Sequence, residues 1–139
     1  MEAERPFPEI RQVVLDCTDA RALAEFYRQL LGLRYREGDE DPGQLEKDWL
    51  VLRGPNRNSG VAFQQVDELR QSTWPDPATP QQLHLDMTVP SFEDLEAQHE
   101  RVLSLGGRLL YDRSDDPEEQ LRVYADPAGH SFCIIVAPG

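Results

Sequence analysis

The chain repeats one order of strand-like and helix-like segments, and this repeat restricts its fold more than any other feature. VVLDCT at 13–18 is similar to LHLDMT at 83–88, 70 residues later (83 − 13). VAFQQV at 61–66 can be matched with SFCIIV at 131–136 at the same spacing (131 − 61 = 70). Self-similarity at a fixed spacing is typical of a repeated supersecondary unit. The sequence therefore predicts two copies of one unit.

Each unit starts with a predicted strand and a helix whose ends are marked. The apolar run IRQVVLDC (10–17) favours a strand, and Asp19 stands where a helix N-cap is expected. Gly32 is placed to end that helix in a left-handed conformation, and Ser91 is the predicted cap of the second helix. Three strand-like segments follow each helix. The result is two βαβββ modules, with bounds of about 9–66 and 82–137 and a proline-containing linker at 67–81.

A four-stranded sheet covered by one helix has a second face that must also be covered. Two such faces can surround a shared cavity, and residues that alternate along a strand then divide between the core and the cavity. The predicted core residues are Val13, Leu15, Cys17, Leu83, Leu85 and Met87. The predicted cavity residues on the same two strands are Gln12, Val14, Asp16, His84, Asp86 and Thr88.

The composition narrows the range of partners. With 26 acidic and 14 basic residues the formal charge is −12, which argues against nucleic acid and anionic lipid as partners and favours a neutral or cationic small molecule. The N-terminal residues do not resemble a signal peptide, and no apolar run reaches the roughly 20 residues that span a bilayer. We therefore expect a cytoplasmic protein. Cys17 and Cys133 are expected to be reduced thiols.

The segments LDCTDARALAEFY, HLDMTV and DPAGHSFC, in this order, resemble the vicinal oxygen chelate superfamily. That superfamily includes glyoxalase I, extradiol dioxygenases and bleomycin-resistance proteins, and the segments are most similar to its glyoxalase-like group. The resemblance covers about residues 10–137. It implies an α+β fold in which two tandem βαβββ modules form one domain, 1–139, around a shared cavity. It also implies a homodimer.

Metal-dependent members of the superfamily hold one divalent cation with four residues from the first, fourth, fifth and eighth strands. The resemblance places these positions on Gln12, Phe63, His84 and Cys133. Only His84 is a typical ligand there, because an amide binds metals weakly, phenylalanine has no donor and a thiol replaces an oxygen ligand. The sequence therefore predicts no cofactor, with His84 as a weak metal candidate.

The leading hypothesis is a metal-free protein that binds a small molecule. Its predicted ligand-binding residues are Gln12, Asp16, Trp49, Phe63, His84, Asp86 and Cys133, and Trp74 in the linker is a candidate lid. An alternative is a metal-dependent lyase, isomerase or dioxygenase that uses His84 with Asp16 or Asp86. A third possibility is an interaction module whose cavity is closed.

Two residue roles stay open in the sequence. Asp16 and Asp86 are expected to face each other, either as hydrogen-bonded structural groups or as a carboxylate pair with one raised pKa. His99, which lies among charged residues of the second helix, is expected to be solvated.

Overall fold

The computed structural model describes residues 5–41, 48–56 and 59–137, which form the predicted order of strands and helices. The first module contains β1 (Gln12–Cys17), α1 (Ala20–Leu31), β2 (Arg34–Tyr35), β3 (Trp49–Arg53) and β4 (Gly60–Gln65). The second contains β5 (His84–Val89), α2 (Phe92–Ser104), β6 (Arg108–Arg113), β7 (Leu121–Ala125) and β8 (Ser131–Val136).

The two modules have the same sheet topology. The strand orders are β1-β4-β3-β2 and β5-β8-β7-β6. In each sheet the first strand runs parallel to the last, and the remaining pairs are antiparallel. The prediction of an α+β fold with two tandem βαβββ modules is confirmed. Within the described ranges, neither helix is long and apolar enough to cross a membrane.

The predicted helix ends are confirmed, because each depends on local chemistry. The Asp19 side chain accepts a hydrogen bond from the Ala22 amide at 3.0 Å and caps α1. Gly32 ends that helix with φ of +67°, a conformation that glycine adopts without strain. The Ser91 hydroxyl caps α2 by accepting from the amide of Asp94.

One hydrophobic core contains residues of both modules. The ring of Tyr27 on α1 lies 5.9 Å from that of Phe63 on β4 and 6.1 Å from that of Phe132 on β8. The Tyr27 hydroxyl donates a 2.6 Å hydrogen bond to Asp126, just after β7. The two modules are therefore joined by packing as well as by the linker.

The predicted alternation holds well on β1 and less well on β5. Leu15 and Cys17 are buried while Asp16 is exposed. Met87 on β5 is half-buried against the core, as Leu85 is, whereas His84, Asp86 and Thr88, which alternate with them, are exposed. Leu83 was predicted to lie in the core, and this is wrong, because the residue precedes β5 and its side chain is 43% exposed.

The two modules correspond at a spacing different from the one that the sequence suggests. β1 and β5 begin 72 residues apart (84 − 12), and the N-caps Asp19 and Ser91 are also 72 apart. β4 and β8 begin 71 residues apart (131 − 60). The spacing of 70 given by the Leu-Asp-x-Thr match is therefore wrong by two residues for β1 and β5. Because side chains alternate between the two faces of a strand, an error of two residues leaves each side chain on its predicted face.

The predicted spacing between β4 and β8 is wrong by one residue. An error of one residue matches each side chain with one on the opposite face of the other sheet. Cys133 corresponds to Ala62 at the observed spacing of 71 (133 − 62), and not to Phe63. The prediction that Phe63 lines the cavity is therefore wrong. Its ring is fully buried on the helix side of the sheet, next to Tyr27.

Candidate functional site

Three of the predicted site residues meet on the outer face of the second sheet. Asp86 on β5 pairs with Cys133 on β8, and His84 lies two residues before Asp86 on the same face. One ligand atom from each of the three lies within 4.8 Å of the others. The closest approach between His84 and Asp86 is 3.4 Å, from Nε2 to Oδ1. We call His84, Asp86 and Cys133 the strand triad.

The electrostatics of the triad keep its thiol protonated. Burial, followed by the negative charge of Asp86 and a hydrogen bond to it, raises the pKa of Cys133 to about 11. A thiol with such a pKa is a poor nucleophile at neutral pH, since the thiolate is the reactive form. His84 and Asp86 are 44% and 56% exposed and can reach a ligand.

A cleft of about 220 Å³ opens beside the triad. Trp74 and Tyr111 give it two aromatic walls, and His84 lies at its polar side. The complete lining is Trp74, Gln81, His84, Tyr111, Arg113, Leu121, Val123 and Cys133. A mainly apolar cleft with a few polar groups is the usual form of a small-molecule site. Below, 'the cleft' always means the space that these eight residues line.

Strand pairing explains why these residues meet. Cys133 pairs with Val123 on β7, which pairs in turn with Tyr111 on β6. Together with Asp86, these residues form one row across all four strands of the sheet. The sequence prediction missed Tyr111, Arg113, Leu121, Val123 and Gln81. Alternation along β6 and β7 is a signal that could have identified the first four, but only with the register known.

The first-module candidates lie elsewhere. Among the described residues, those that line the cleft come from the linker and the second module, so the cleft is not a cavity shared by both modules. Asp16 lies beside His130, whose Nε2 is 2.6 Å from the Asp16 carbonyl oxygen. Both residues line another cavity, of about 240 Å³, whose described lining residues come from both modules and from the linker, and we call it the linker cavity. Trp49 and Asp16 both pair with Gln64, an exposed residue of β4 that the prediction missed. Gln12 starts β1 and pairs with Gly60.

Two smaller expectations can also be compared with the structure. Cys17 and Cys133 form no disulfide, as predicted. His99 is not simply solvated, because its Nδ1 lies 2.8 Å from the buried hydroxyl of Tyr124 and the ring is half-buried.

The triad has donors for a metal ion, but its geometry and charge fit one only in part. Imidazole, carboxylate and thiolate all bind zinc-like cations. Bonds of about 2.0 to 2.3 Å in a tetrahedral site place the ligand atoms about 3.3 to 3.8 Å apart, so the triad atoms, which spread over up to 4.8 Å, would have to move closer. Cys133 would also have to lose its proton.

Comparison with known proteins gives a consistent result. A sequence profile described as a glyoxalase-like domain matches residues 12–135. No curated protein matches the chain.

Solved structures with low sequence identity share the fold. A mutant of the fosfomycin resistance protein FosX from Listeria monocytogenes, complexed with Mn(II) and 1S,2S-dihydroxypropylphosphonic acid, has a TM-score of 0.70 at 14% identity, over 95% of this chain and 94% of that chain. A glyoxalase/bleomycin resistance protein/dioxygenase family enzyme from Burkholderia phytofirmans PsJN has a TM-score of 0.68 at 17% identity, over 93% of this chain and 98% of that chain. A possible glyoxalase from Bacillus cereus has a TM-score of 0.65 at 16% identity, over 91% of this chain and 97% of that chain.

Proposed function

Because this chain belongs to the glyoxalase-like domain family, we propose that it binds a small, flat, largely apolar molecule in the cleft, without a resident metal ion. The observation that carries the proposal is the composition of the cleft, in which two aromatic side chains, Trp74 and Tyr111, lie close to one exposed histidine, His84. Aromatic walls bind flat molecules through their large apolar area, and one polar group fixes the orientation of the ligand.

The charge of the site favours a neutral or cationic ligand. Asp86 lies beside His84, the positive charge of the lining residue Arg113 is paired with Asp116 at 2.7 Å, and the whole chain carries a formal charge of −12. An anion would have to approach against this field, whereas a ligand with an N–H or O–H group can donate to His84 or Asp86. In this proposal His84 and Asp86 bind the polar end of the ligand and Cys133 contributes a small, uncharged wall.

The remaining family metal positions support a metal-free site. Gln12 offers only a weakly binding amide, and Ala62, which corresponds to Cys133 in the first module, has no donor atom. Cys133 itself is held protonated by burial and by Asp86. Phe63 cannot take part, since its ring is in the core.

A second candidate function is a metal-assisted reaction such as that of a lyase, isomerase or dioxygenase. The strand triad favours it, because His84, Asp86 and Cys133 place three donors within 4.8 Å of one another. A structural neighbour, FosX from Listeria monocytogenes, is described as complexed with Mn(II). Such an ion would act as a Lewis acid on ligand oxygens. In this case the ion is held by a set different from Gln12, Phe63, His84 and Cys133.

We also infer a cytoplasmic homodimer that binds neither nucleic acid nor anionic membranes. The negative charge supports the choice of partners, and the family resemblance supports the dimer. Light scattering after size exclusion tests the dimer, and a monomer at micromolar concentration would contradict it.

The function is tested by thermal shift with a library of neutral and cationic aromatic compounds. A ligand of the cleft should raise the melting temperature of the parent, and His84→Ala and Trp74→Ala should each weaken its binding about tenfold, in line with the loss of one hydrogen bond or one aromatic wall. Asp16→Asn is the control, because Asp16 lies outside the cleft.

Metal analysis separates the two candidates. Protein purified without chelator should contain no stoichiometric divalent metal if the first is correct. A stoichiometric metal that is lost in His84→Ala would contradict it and support the second.

A further inference from the structure

The histidine of the cleft has a hydrogen-bonding neighbour beside each of its ring nitrogens, and these neighbours determine which nitrogen carries the proton. Oδ1 of Asp86 lies 3.4 Å from Nε2 of His84. On the other side of the ring, the side-chain nitrogen of Gln81 lies 3.5 Å from Nδ1. A neutral imidazole has one N–H donor and one bare nitrogen that accepts, so the two neighbours select between two tautomers.

Both contacts favour the same tautomer. A carboxylate can only accept, and its negative charge attracts an N–H and repels a lone pair, so Asp86 favours a proton on Nε2. The amide nitrogen of Gln81 can only donate, which requires a bare Nδ1. The opposite tautomer would place a lone pair against the Asp86 carboxylate and two N–H groups against each other at Gln81. The neutral His84 ring is therefore the Nε2–H tautomer, with Nδ1 as an acceptor.

The neighbouring strand supplies a second donor to the Asp86 carboxylate. Asp86 pairs with Cys133 on β8, and the Cys133 thiol donates a hydrogen bond to it. Burial and the charge of Asp86 raise the pKa of Cys133 to about 11, so the thiol keeps its proton at neutral pH. Asp86 therefore accepts from two donors, the thiol on one side and Nε2–H of His84 on the other.

The lining of the cleft indicates which nitrogen a ligand reaches. Among the described residues, those that line the cleft include His84 and Gln81 but not Asp86. The Nδ1 edge of the ring, next to Gln81, therefore lies on the cleft side, and the Nε2 edge lies toward Asp86. The contact between Gln81 and Nδ1, at 3.5 Å, is longer than the usual ~3 Å, so a ligand N–H or O–H group can take its place.

We propose that Asp86 is a positioning residue, which holds His84 with its acceptor nitrogen toward the cleft and thereby selects ligands whose polar end is a hydrogen-bond donor. This role rests on the proposed function and deepens it, because His84 alone contacts the ligand and Asp86 acts through His84. The ligand class narrows to flat molecules with an N–H or a phenolic O–H group, such as indoles and phenols. Molecules whose polar end only accepts, such as ethers, ketones and carboxylates, meet the lone pair of Nδ1 and bind more weakly.

The tautomer is measured without a ligand. Long-range proton–nitrogen spectra of the isotope-labelled full chain, treated with chelator and held at about pH 9, report the neutral rings of its three histidines. His84 should show the Nε2–H pattern in the parent and in Asp86→Asn, whose amide oxygen also accepts, and a measurable share of Nδ1–H in Asp86→Ala. His130, whose Nε2 lies at the Asp16 carbonyl oxygen, is the internal reference and should not change. An Nδ1–H pattern in the parent, or an unchanged pattern in Asp86→Ala, overturns the proposal.

The selectivity is measured with two probes of the same shape. Indole donates an N–H group, and benzofuran has an acceptor oxygen in its place. The parent should bind indole about tenfold more tightly than benzofuran, the usual effect of one hydrogen bond. Asp86→Ala should reduce this preference at least about threefold, because part of the His84 population then presents an N–H to the ligand. Thr88→Ala, on the same exposed face of β5, is the matched control and should keep the preference of the parent.

A double-mutant cycle distinguishes an indirect role of Asp86 from direct binding. In a His84→Phe background, Asp86→Ala should leave the affinity for indole unchanged, because Asp86 acts through His84. A further loss of affinity in that background would mean that Asp86 binds the ligand itself, and the proposal would be overturned. If neither probe binds the parent, the proposed function fails for this class of ligand, while the histidine spectrum still decides the role of Asp86.

Discussion

Asp126 joins the two modules through a buried hydrogen bond to Tyr27. Its Oδ1 accepts hydrogen bonds from the amides of Ala128 and His130, at 2.8 and 3.0 Å, and its Oδ2 accepts from the Tyr27 hydroxyl at 2.6 Å. Burial nevertheless raises the pKa of Asp126 above its ordinary value of 3.8. The carboxyl thus fixes the turn before β8 and holds α1 of the other module against it.

Tyr27→Phe tests this contact. At pH 7 we expect the free energy of unfolding to fall by about 1 to 3 kcal/mol, because a buried carboxylate loses its donor. The folded state binds the Asp126 proton more tightly than the unfolded state, since the pKa is raised on folding. Protonation therefore stabilises the fold as the pH falls through the raised pKa toward 3.8, and the difference between variant and parent should shrink in acid.

Urea denaturation at pH 7 and pH 4.5 measures the effect. Tyr35→Phe is the matched control, because Tyr35 donates a similar 2.6 Å hydrogen bond to Glu25, which is partly exposed. At pH 7 the free energy of unfolding should fall less in Tyr35→Phe than in Tyr27→Phe. If the loss of unfolding free energy in Tyr27→Phe grew as the pH fell, Asp126 would not be the group that causes the pH dependence.

Among the secondary-structure elements, local signals were predictable from sequence and register was not. Asp19, Gly32 and Ser91 were correctly assigned, because a cap or a left-handed glycine depends on a few neighbouring residues. The spacing of 70 was wrong, because short strands with alternating apolar residues resemble one another at several displacements. The caps, which are 72 residues apart (91 − 19), were the better guide.

The cavities depend on contacts between distant parts of the chain, which periodicity does not show. Gly129 illustrates this, because a Cβ placed there would lie only 2.8 Å from Cγ of Gln71 in the linker. The linker approaches the turn closely at this point and closes the linker cavity. The sequence shows only that the linker contains prolines, so the cavity could not be predicted from it.

Two neighbouring residues of β5 test the assignment of its faces. Met87→Asp places a charge against the core and should cost on the order of 3 kcal/mol of stability, because the carboxylate loses water without gaining a partner. Thr88→Asp, one residue later on the exposed face, should stay within about 0.5 kcal/mol of the parent. Thermal melting by circular dichroism measures both. If Thr88→Asp proved the more damaging, the face assignment of β5, including His84 and Asp86, would be inverted.

In the whole molecule, the shared core predicts that both modules unfold together. Phe132 of the second module packs on Phe26 and Tyr27 of α1, with ring centroids 5.9 and 6.1 Å apart. Separation of the modules would expose these rings to water. We therefore expect one cooperative transition, with fluorescence and circular dichroism giving the same midpoint. The separate fragments 1–81 and 82–139 should each lack a cooperative transition, and two resolved transitions of the full chain would contradict the shared core.

The linker, 67–81, contributes Trp74 to the cleft and Leu69 and Arg70 to the linker cavity, while Gln81 contributes to both. It belongs to neither sheet and neither helix. Its residues can therefore change with little effect on the frame of strands and helices. For protein engineering, this makes the linker an exchangeable cassette, since replacement of a short, continuous stretch of chain would alter the selectivity of two cavities in one step.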